Sequence, residues 1–388
     1  MTDTSMNAPE GALLDGPEAA KSADAPVIVQ VAKKHGVSPL RQLRESWSMR
    51  GGAQKLGSNE YYSLGLFDPA MPRAAKQAFV GQKGINALNA RMNPPAAVPT
   101  RAFVGNKLLY TQLLAQLGIA TAETQALVST HRNAGQMRVS RDAAALAEFL
   151  ETEARYPLFG KPHHGSLSEG SVRLTGCADG MLHLANGDTR PAADFAAEVM
   201  ARYPGGFILQ TALDPHPAMA QIAGPAIGCV RVVTVNDGAG PKPAYAVWKL
   251  PAPRAMSDNF WQAGSLLAAL DLDNGAVTRC VIGTGLAQEM VEAHPVSGAQ
   301  IVGSKIPHWD DTLRIACDAH AVFPEFGICG FDIAVTAEGP KVLECNDNPS
   351  HNLYQIGAGR GLLSDDLTPL WDAVAARQTK QLQRLKSK

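Results

Sequence analysis

The chain has 388 residues, of which 45% are hydrophobic and 18% charged, and its formal net charge is -1. That length implies two or three domains with ample core, the near-neutral charge argues against a dedicated nucleic-acid binder, and no apolar run approaches the roughly 18 residues of a membrane span. The six cysteines, Cys177, Cys229, Cys280, Cys317, Cys329 and Cys345, are scattered without a C-x-x-C pair. This argues against a structural zinc site or a disulfide framework and fits a reducing, cytoplasmic compartment.

In chain order, residues 1–25 lack the basic and apolar regions of a signal peptide and read as a disordered Ala/Pro/Gly/Asp tail. Residues 26–105 read as a mainly helical supporting region. Ser38 before Pro39 has the form of an N-cap followed by proline at the first helical position. Tyr61, Tyr62, Leu64, Leu66 and Phe67 make an apolar cluster, Asn93-Pro94-Pro95 breaks the chain, and no charge cluster there points to chemistry. Residues 106–117 predict a helix ended by Gly118, followed by a strand at 125–129, a helix at 141–154 and a strand at 156–161. A polar loop from His163 to Ser171 leads into a further strand. Residues 207–213, 229–235 and 245–250 read as buried strands, 310–322 as a helix, and the segment from about Leu367 as an amphipathic C-terminal helix.

Residues 330–352, GFDIAVTAEGPKVLECNDNPSHN, predict a hairpin. Phe331, Ile333 and Val335 alternate with Asp332, Ala334 and Thr336, and Ala337-Glu338-Gly339-Pro340 has turn chemistry. On the second strand Val342, Glu344 and Asn346 share one face. One register sets Asp332 opposite Glu344. Facing carboxylates repel, so either both point at water or a cation lies between them. Two carboxylates and an amide oxygen are hard ligands suited to Mg2+.

Other residues carry two readings each. The loop's Gly165 and Gly170, with Ser166, Ser168 and Ser171, could cradle phosphates on its backbone N–H groups or form an ordinary hairpin. Lys161 ends an apolar strand and either snorkels to the surface or meets a phosphate. Arg231 lies within an apolar strand, where an arginine needs an anionic partner (a phosphate or Glu344) unless it faces water from an edge. Lys249 reads similarly. His163 and His164 flank the loop. Cys345 should point into the core and is not read as a nucleophile. His351 and Asn352 follow Pro349 and are candidates for contact with an acceptor substrate.

Taken in order, Lys107, Lys161, the Gly/Ser loop, Gln210 to Leu213, Arg231, Asp332, Glu344 and Asn346 resemble the ATP-grasp superfamily over residues 101–356. Ser257-Asp258-Asn259-Phe260, Gly264-Ser265, His294-Pro295 and Ile306-Pro307-His308-Trp309 look like its sugar-transfer-associated, glutamate-ligase-related branch. The resemblance implies an α+β class, with two α+β lobes gripping ATP behind a mainly helical N-terminal region. The small lobe, residues 106–206, would bear the phosphate loop, and the large lobe, 207–388, the metal site and C-terminal helix. It implies Lys107 and Lys161 at the nucleotide phosphates and Gly165 to Ser171 as a closing loop. Gln210 to Leu213 would be the hinge at adenine, although many relatives begin it with an acid. Asp214 or a near neighbour would be available to the ribose, Arg231 would meet the triphosphate, and Lys249 would join the nucleotide site. Asp332, Glu344 and Asn346 would hold magnesium. The implied cofactors are ATP and Mg2+. The implied reaction is carboxylate–amine ligation through an acyl phosphate, on small-molecule carboxylate and nucleophile substrates. A kinase-like phosphoryl transfer and a low-turnover scaffold in a sugar pathway are the alternatives.

Overall fold

A computed structural model describes residues 11–13, 26–165, 168–253 and 255–387. The chain has the mixed α+β class expected, two seven-stranded sheets with helices packed on them and a helical N-terminal region. That region holds α1 (Val27–His35), α2 (Pro39–Ser48), α3 (Ser58–Ser63), α4 (Arg73–Gln77) and α5 (Gln82–Met92). As the sequence predicts, Ser38 caps α2, its side chain accepting from the Arg41 N–H at 3.3 Å. Two short helices follow, α6 (Arg101–Val104) and α7 (Lys107–Gln116), the latter capped by the Asn106 side chain.

The first sheet contains β1 (Thr124–Val128), β2 (Arg138–Ser140), β3 (Leu158–Pro162), β4 (Val172–Ala178), β5 (Met181–Leu184), β6 (Thr189–Pro191) and β7 (Phe207–Thr211), in the order β2-β1-β7-β3-β4-β5-β6. Helices α8 (Ala143–Glu148) and α9 (Ala192–Arg202) pack together beside it. The expected single helix over 141–154 is shorter, because a π-turn takes over at Phe149–Glu153.

The second sheet contains β8 (Val230–Asn236), β9 (Pro241–Leu250), β10 (Leu266–Leu270), β11 (Val277–Ile282), β12 (Glu289–Met290), β13 (Ile328–Thr336) and β14 (Gly339–Asn346), in the order β12-β11-β10-β9-β8-β13-β14. Helices α10 (Pro217–Ala223), α11 (Trp309–Ala321), α12 (Asn352–Ala358) and α13 (Thr368–Lys386) complete the chain.

Alternation along the strands of the second sheet splits its apolar side chains between two cores. Val233, Val235 and Tyr245 join Tyr61, Leu66, Phe79 and Ile85 of the helical region, with Trp371 of α13. Val232, Trp248 and Phe331 point the other way, toward Tyr110 and α11. The N-terminal helices therefore share a core with the second sheet. The first sheet has its own core, built on Val128, Leu158, Phe195 and Phe207. The tail expected to be disordered lies outside the described residues except at Gly11–Leu13. There Ala12 and Leu13 are buried against that core, and their N–H groups donate to the Glu198 carboxylate at 2.8 and 3.2 Å. No described helix is long and apolar enough to cross a membrane.

Candidate active site

The two sheets enclose a cavity of about 480 Å³. β3 and β7 supply Phe159, Lys161, Gln210 and Thr211 from one side, and β8, β9, β13 and β14 supply Arg231, Lys249, Asp332 and Glu344 from the other. Strand pairing sets the charged cluster. Asp332 on β13 lies opposite Arg231 on β8 and opposite Glu344 on β14, so the register read from the sequence holds. The shared face does not hold for Val342. A bulge sets Asp332 against Glu344 but Ile333 against Val342, leaving Leu343 extra. A bulge breaks the alternation. Val342 turns into the core, while Leu343, Glu344 and Asn346 line the cavity.

Asp332 is a hub. Its Oδ1 accepts from Arg231 Nε at 2.5 Å, and its Oδ2 accepts from Arg231 Nη2 at 2.9 Å and from Lys249 Nζ at 3.1 Å. Arg231 thus has the anionic partner its sequence context demands, and that partner is Asp332, one strand over, where the sequence offered a phosphate or Glu344. Lys249 is also held by Asp258 at 2.9 Å. Burial alone would raise the Asp332 pKa, but the two cations reverse this and hold it far below the usual carboxylate range. Burial would likewise lower Arg231 and Lys249, and their acidic partners leave both above their ordinary values.

Lys161 is different. It is 8% exposed, and its ammonium makes no hydrogen bond or ion pair with any described residue; the Phe159 ring centroid lies 5.8 Å from Nζ. Burial depresses its pKa, and Glu344 only partly opposes this. A buried ammonium on a cavity wall without a partner is costly unless an anion meets it. Ser257 Oγ, also on this wall, is buried with no partner among the described residues.

Lys107 begins α7. It donates to the Gly165 carbonyl at 2.7 Å and lies 3.6 Å from Glu344. In the loop, Gly165 (φ +130°) and Gly170 (φ +73°) occupy conformations that favour glycine, and a Cβ at Gly170 would collide with Tyr203 and Pro162. Ser168 is also left-handed and, with Ser171, lines the cavity. Ser166 lies outside the described residues. His164 lines the cavity, whereas His163 bonds to the Gly206 carbonyl at 2.8 Å. Gln210 and Leu213, expected at the hinge, are on the wall, and Gln210 is buried against Thr124 at 3.2 Å. Asp214 does not line the cavity itself: its side chain is 79% exposed and pairs at 2.9 Å with Arg173, which does line it.

His351 and Asn352 also leave the site. His351 is fully buried, bonded to the Tyr245 hydroxyl at 2.6 Å and to Asn89 Oδ1 at 2.8 Å. Burial pushes its pKa down to about 3. Asn352 bonds to Gln82 of α5. Neither lines the cavity, because α5 packs over the segment after Pro349 and turns it inward; Ser350 and Leu353 take the wall. Cys345 packs in part against the core beside Tyr110, as its alternation with Glu344 implies, and also borders the cavity.

The donor set fits Mg2+ at Glu344 and Asn346. The Asn346 Nδ2 donates to Gly330 O and Glu344 Oε1 at 3.4 and 3.3 Å, which leaves its carbonyl oxygen without a partner among the described residues. A carboxylate and an amide oxygen are the hard ligands magnesium takes, few in number beside water and phosphate. Asp332 already accepts three hydrogen bonds and has little capacity left. Among the described residues no group of three or more His, Cys, Asp or Glu is arranged to hold a metal.

Sequence reading assigned no role to Arg173 or Asp258. Arg173 donates to the Leu213 carbonyl at 3.3 Å and so braces the segment that follows β7. Asp258 joins Lys249 to the Cys229 N–H, accepting from the latter at 3.2 Å. Asp258 falls in the Ser-Asp-Asn-Phe stretch that carries the family resemblance, so a signal was present.

The sequence profile of sugar-transfer associated ATP-grasp proteins matches residues 86–368. No curated protein matches the chain. Among solved structures, the D-alanine-D-alanine ligase from Coxiella burnetii is 13% identical with a TM-score of 0.42, over 79% of this chain and 70% of that one. The ATP-grasp ligase PsnB, complexed with minimal precursor, is 17% identical with a TM-score of 0.37, over 74% of this chain and 63% of its own. An L-amino acid ligase from Bacillus licheniformis is 13% identical with a TM-score of 0.39, over 73% and 51%.

Proposed function

Because the chain belongs to the sugar-transfer associated ATP-grasp family, we propose that it is an ATP-dependent ligase joining a carboxylate to an amine or similar nucleophile through an acyl phosphate. The observation that carries this reading is the unpaired, buried ammonium of Lys161 on the wall of the inter-sheet cavity. It calls for an anion, and a triphosphate supplies one.

In this reading the apolar wall around Phe159, Ala212 and Leu213 takes the base. Lys161 and Lys107 face the phosphates. Arg231, fixed by Asp332, keeps Nη1 without a described partner and can add a third charge as negative charge develops in transfer. Glu344 and Asn346 would hold Mg2+, which supplies charge neutralisation on phosphate oxygens when bound. The substrate carboxylate attacks the terminal phosphorus and ADP leaves. The amine then attacks the acyl carbon and phosphate leaves. The Gly165–Ser171 loop excludes water that would hydrolyse the acyl phosphate. No side-chain nucleophile is required. Six free cysteines fit a cytoplasmic location.

Glu344→Gln tests the site. The side chain is half-buried and keeps its shape, so folding should be retained while Mg-dependent ATP turnover falls by about 100-fold or more. Near-normal turnover would remove Glu344 from the site. ADP and phosphate release, measured across carboxylates and amines, tests the reaction. A phosphorylated product without free phosphate would identify a kinase.

A further inference from the structure

Over residues 27–59 the chain carries six lysines and arginines against the single carboxylate of Glu45, although the whole chain is net -1. The excess is concentrated around α2. Gln42, Ser46 and Met49 turn α2's inner face to the core. On the outer face Leu40, Leu43 and Trp47 recur at i, i+3 and i+7, one stripe of a helix, and are 77%, 57% and 73% exposed. Arg41 and Arg44 project beside that stripe, and the Arg50 guanidinium lies 5.4 Å from the Trp47 ring.

A second cavity, of about 400 Å³, opens on the cationic side, lined by Arg41, Arg44, Arg73 and Lys76 with Glu45. Lys76 is buried, and it and Arg41 share Glu45, each at 2.8 Å. Arg44 and Arg73 have no partner among the described residues. Single exposed apolar residues need no explanation, but a contiguous stripe does.

Each simple occupant satisfies half of this surface. A small soluble anion would neutralise the arginines and leave tryptophan and leucine in water. A second copy docked two-fold would cover the stripe but bring arginines toward arginines. An anionic bilayer meets both needs, because tryptophan and leucine enter the boundary between headgroups and acyl chains while arginines meet the headgroup charge. We propose that the outer face of α2, with the Arg41–Arg44–Arg73–Lys76 cavity beside it, docks the protein on an anionic lipid surface.

The test is co-sedimentation of the full chain with vesicles of phosphatidylcholine alone and of phosphatidylcholine mixed with phosphatidylserine. Binding should require the anionic lipid and weaken with salt. Arg44→Gln and Arg73→Gln should each weaken it about five-fold. Trp47→Ser with Leu40→Ser should abolish it without changing the circular dichroism or melting temperature, since both side chains are exposed. No binding, equal binding to both vesicles, or anionic binding untouched by Trp47→Ser would overturn the proposal. So would a lipid-independent dimer that Trp47→Ser disperses, which would make a second copy the occupant.

Discussion

Lys161 and Asp332 are buried on opposite sides of the same cavity, and their substitution should separate binding from stability. Lys161 makes no hydrogen bond or ion pair with a described residue, so Lys161→Met removes a charge that Glu344 only partly offsets. The variant should unfold within about 1 kcal/mol of the parent, or above it. Its stabilisation by ATP should fall by at least about 1.4 kcal/mol, the equivalent of tenfold weaker binding. A normal ATP-induced shift in urea unfolding would show that Lys161 meets no phosphate. Asp332→Asn should do the reverse, because it strands the buried Arg231 guanidinium and leaves Lys249 only Asp258, and should cost about 3–5 kcal/mol even without nucleotide. A loss below about 1 kcal/mol would mean that the Asp332 ion pairs carry little of the fold. That Arg231 needed an anion was legible from one charge in an apolar run. That Asp332 supplies it was not, because the two are 101 residues apart and only the pairing of β8 with β13 brings them together.

At the scale of elements, α5 holds the exit of the hairpin. Asn93, just after the helix, donates to the Ile328 and Asp347 carbonyls at 2.7 Å each and accepts from the Gly327 N–H at 2.8 Å. Asn89 donates to Asn348 Oδ1 at 2.7 Å and to the Pro349 carbonyl at 3.0 Å. Asp347, Asn348 and Ser350 in turn line the cavity. Asn93→Ala would orphan several buried groups and should cost about 2–4 kcal/mol. Turnover should fall more than ATP affinity, because Lys161 and the hinge sit on the other sheet. Calorimetric titration with a non-hydrolysable analogue beside ADP release checks this, and equal losses in both would refute it. The hairpin's strands and register were readable because alternation and turn chemistry are local. The bulge at Leu343 was not, since a bulge exists only relative to a partner strand. His351 was misplaced for a similar reason. Its neighbour Pro349 suggested an open mouth, but its surroundings are Asn89 and Tyr245, 262 and 106 residues away. The exposed stripe on α2 went unread because periodicity alone does not say which helix face is left uncovered.

Across the whole molecule, two buried histidines tie the second sheet to the helices on its two sides. His351 joins Tyr245 on β9 to Asn89 on α5. His320 on α11 pairs with Thr234 on β8 at 2.7 Å and with the Phe326 carbonyl at 3.1 Å. Because Asn89 Nδ2 faces two acceptors, its Oδ1 must accept from His351 Nε2, leaving Nδ1 to accept from Tyr245; this network needs the neutral ring. Burial pushes His351 down to about 3 and His320 down to about 4, both from 6.5. Both groups are therefore neutral in the folded state at pH values where the unfolded chain protonates them. Their contribution is fully present above pH 6.5 and is lost as pH falls toward about 4, where His320 begins to charge in place. Near the middle of that window the unfolded state binds two more protons, so stability should fall by about 3 kcal/mol per pH unit. The helical region and the second sheet share one core, so the loss should appear as a single cooperative transition. Urea unfolding at neutral pH and at about pH 5 measures the slope. His351→Gln should start less stable and lose about half of it. Flat stability across that range would mean that the two rings are not held neutral.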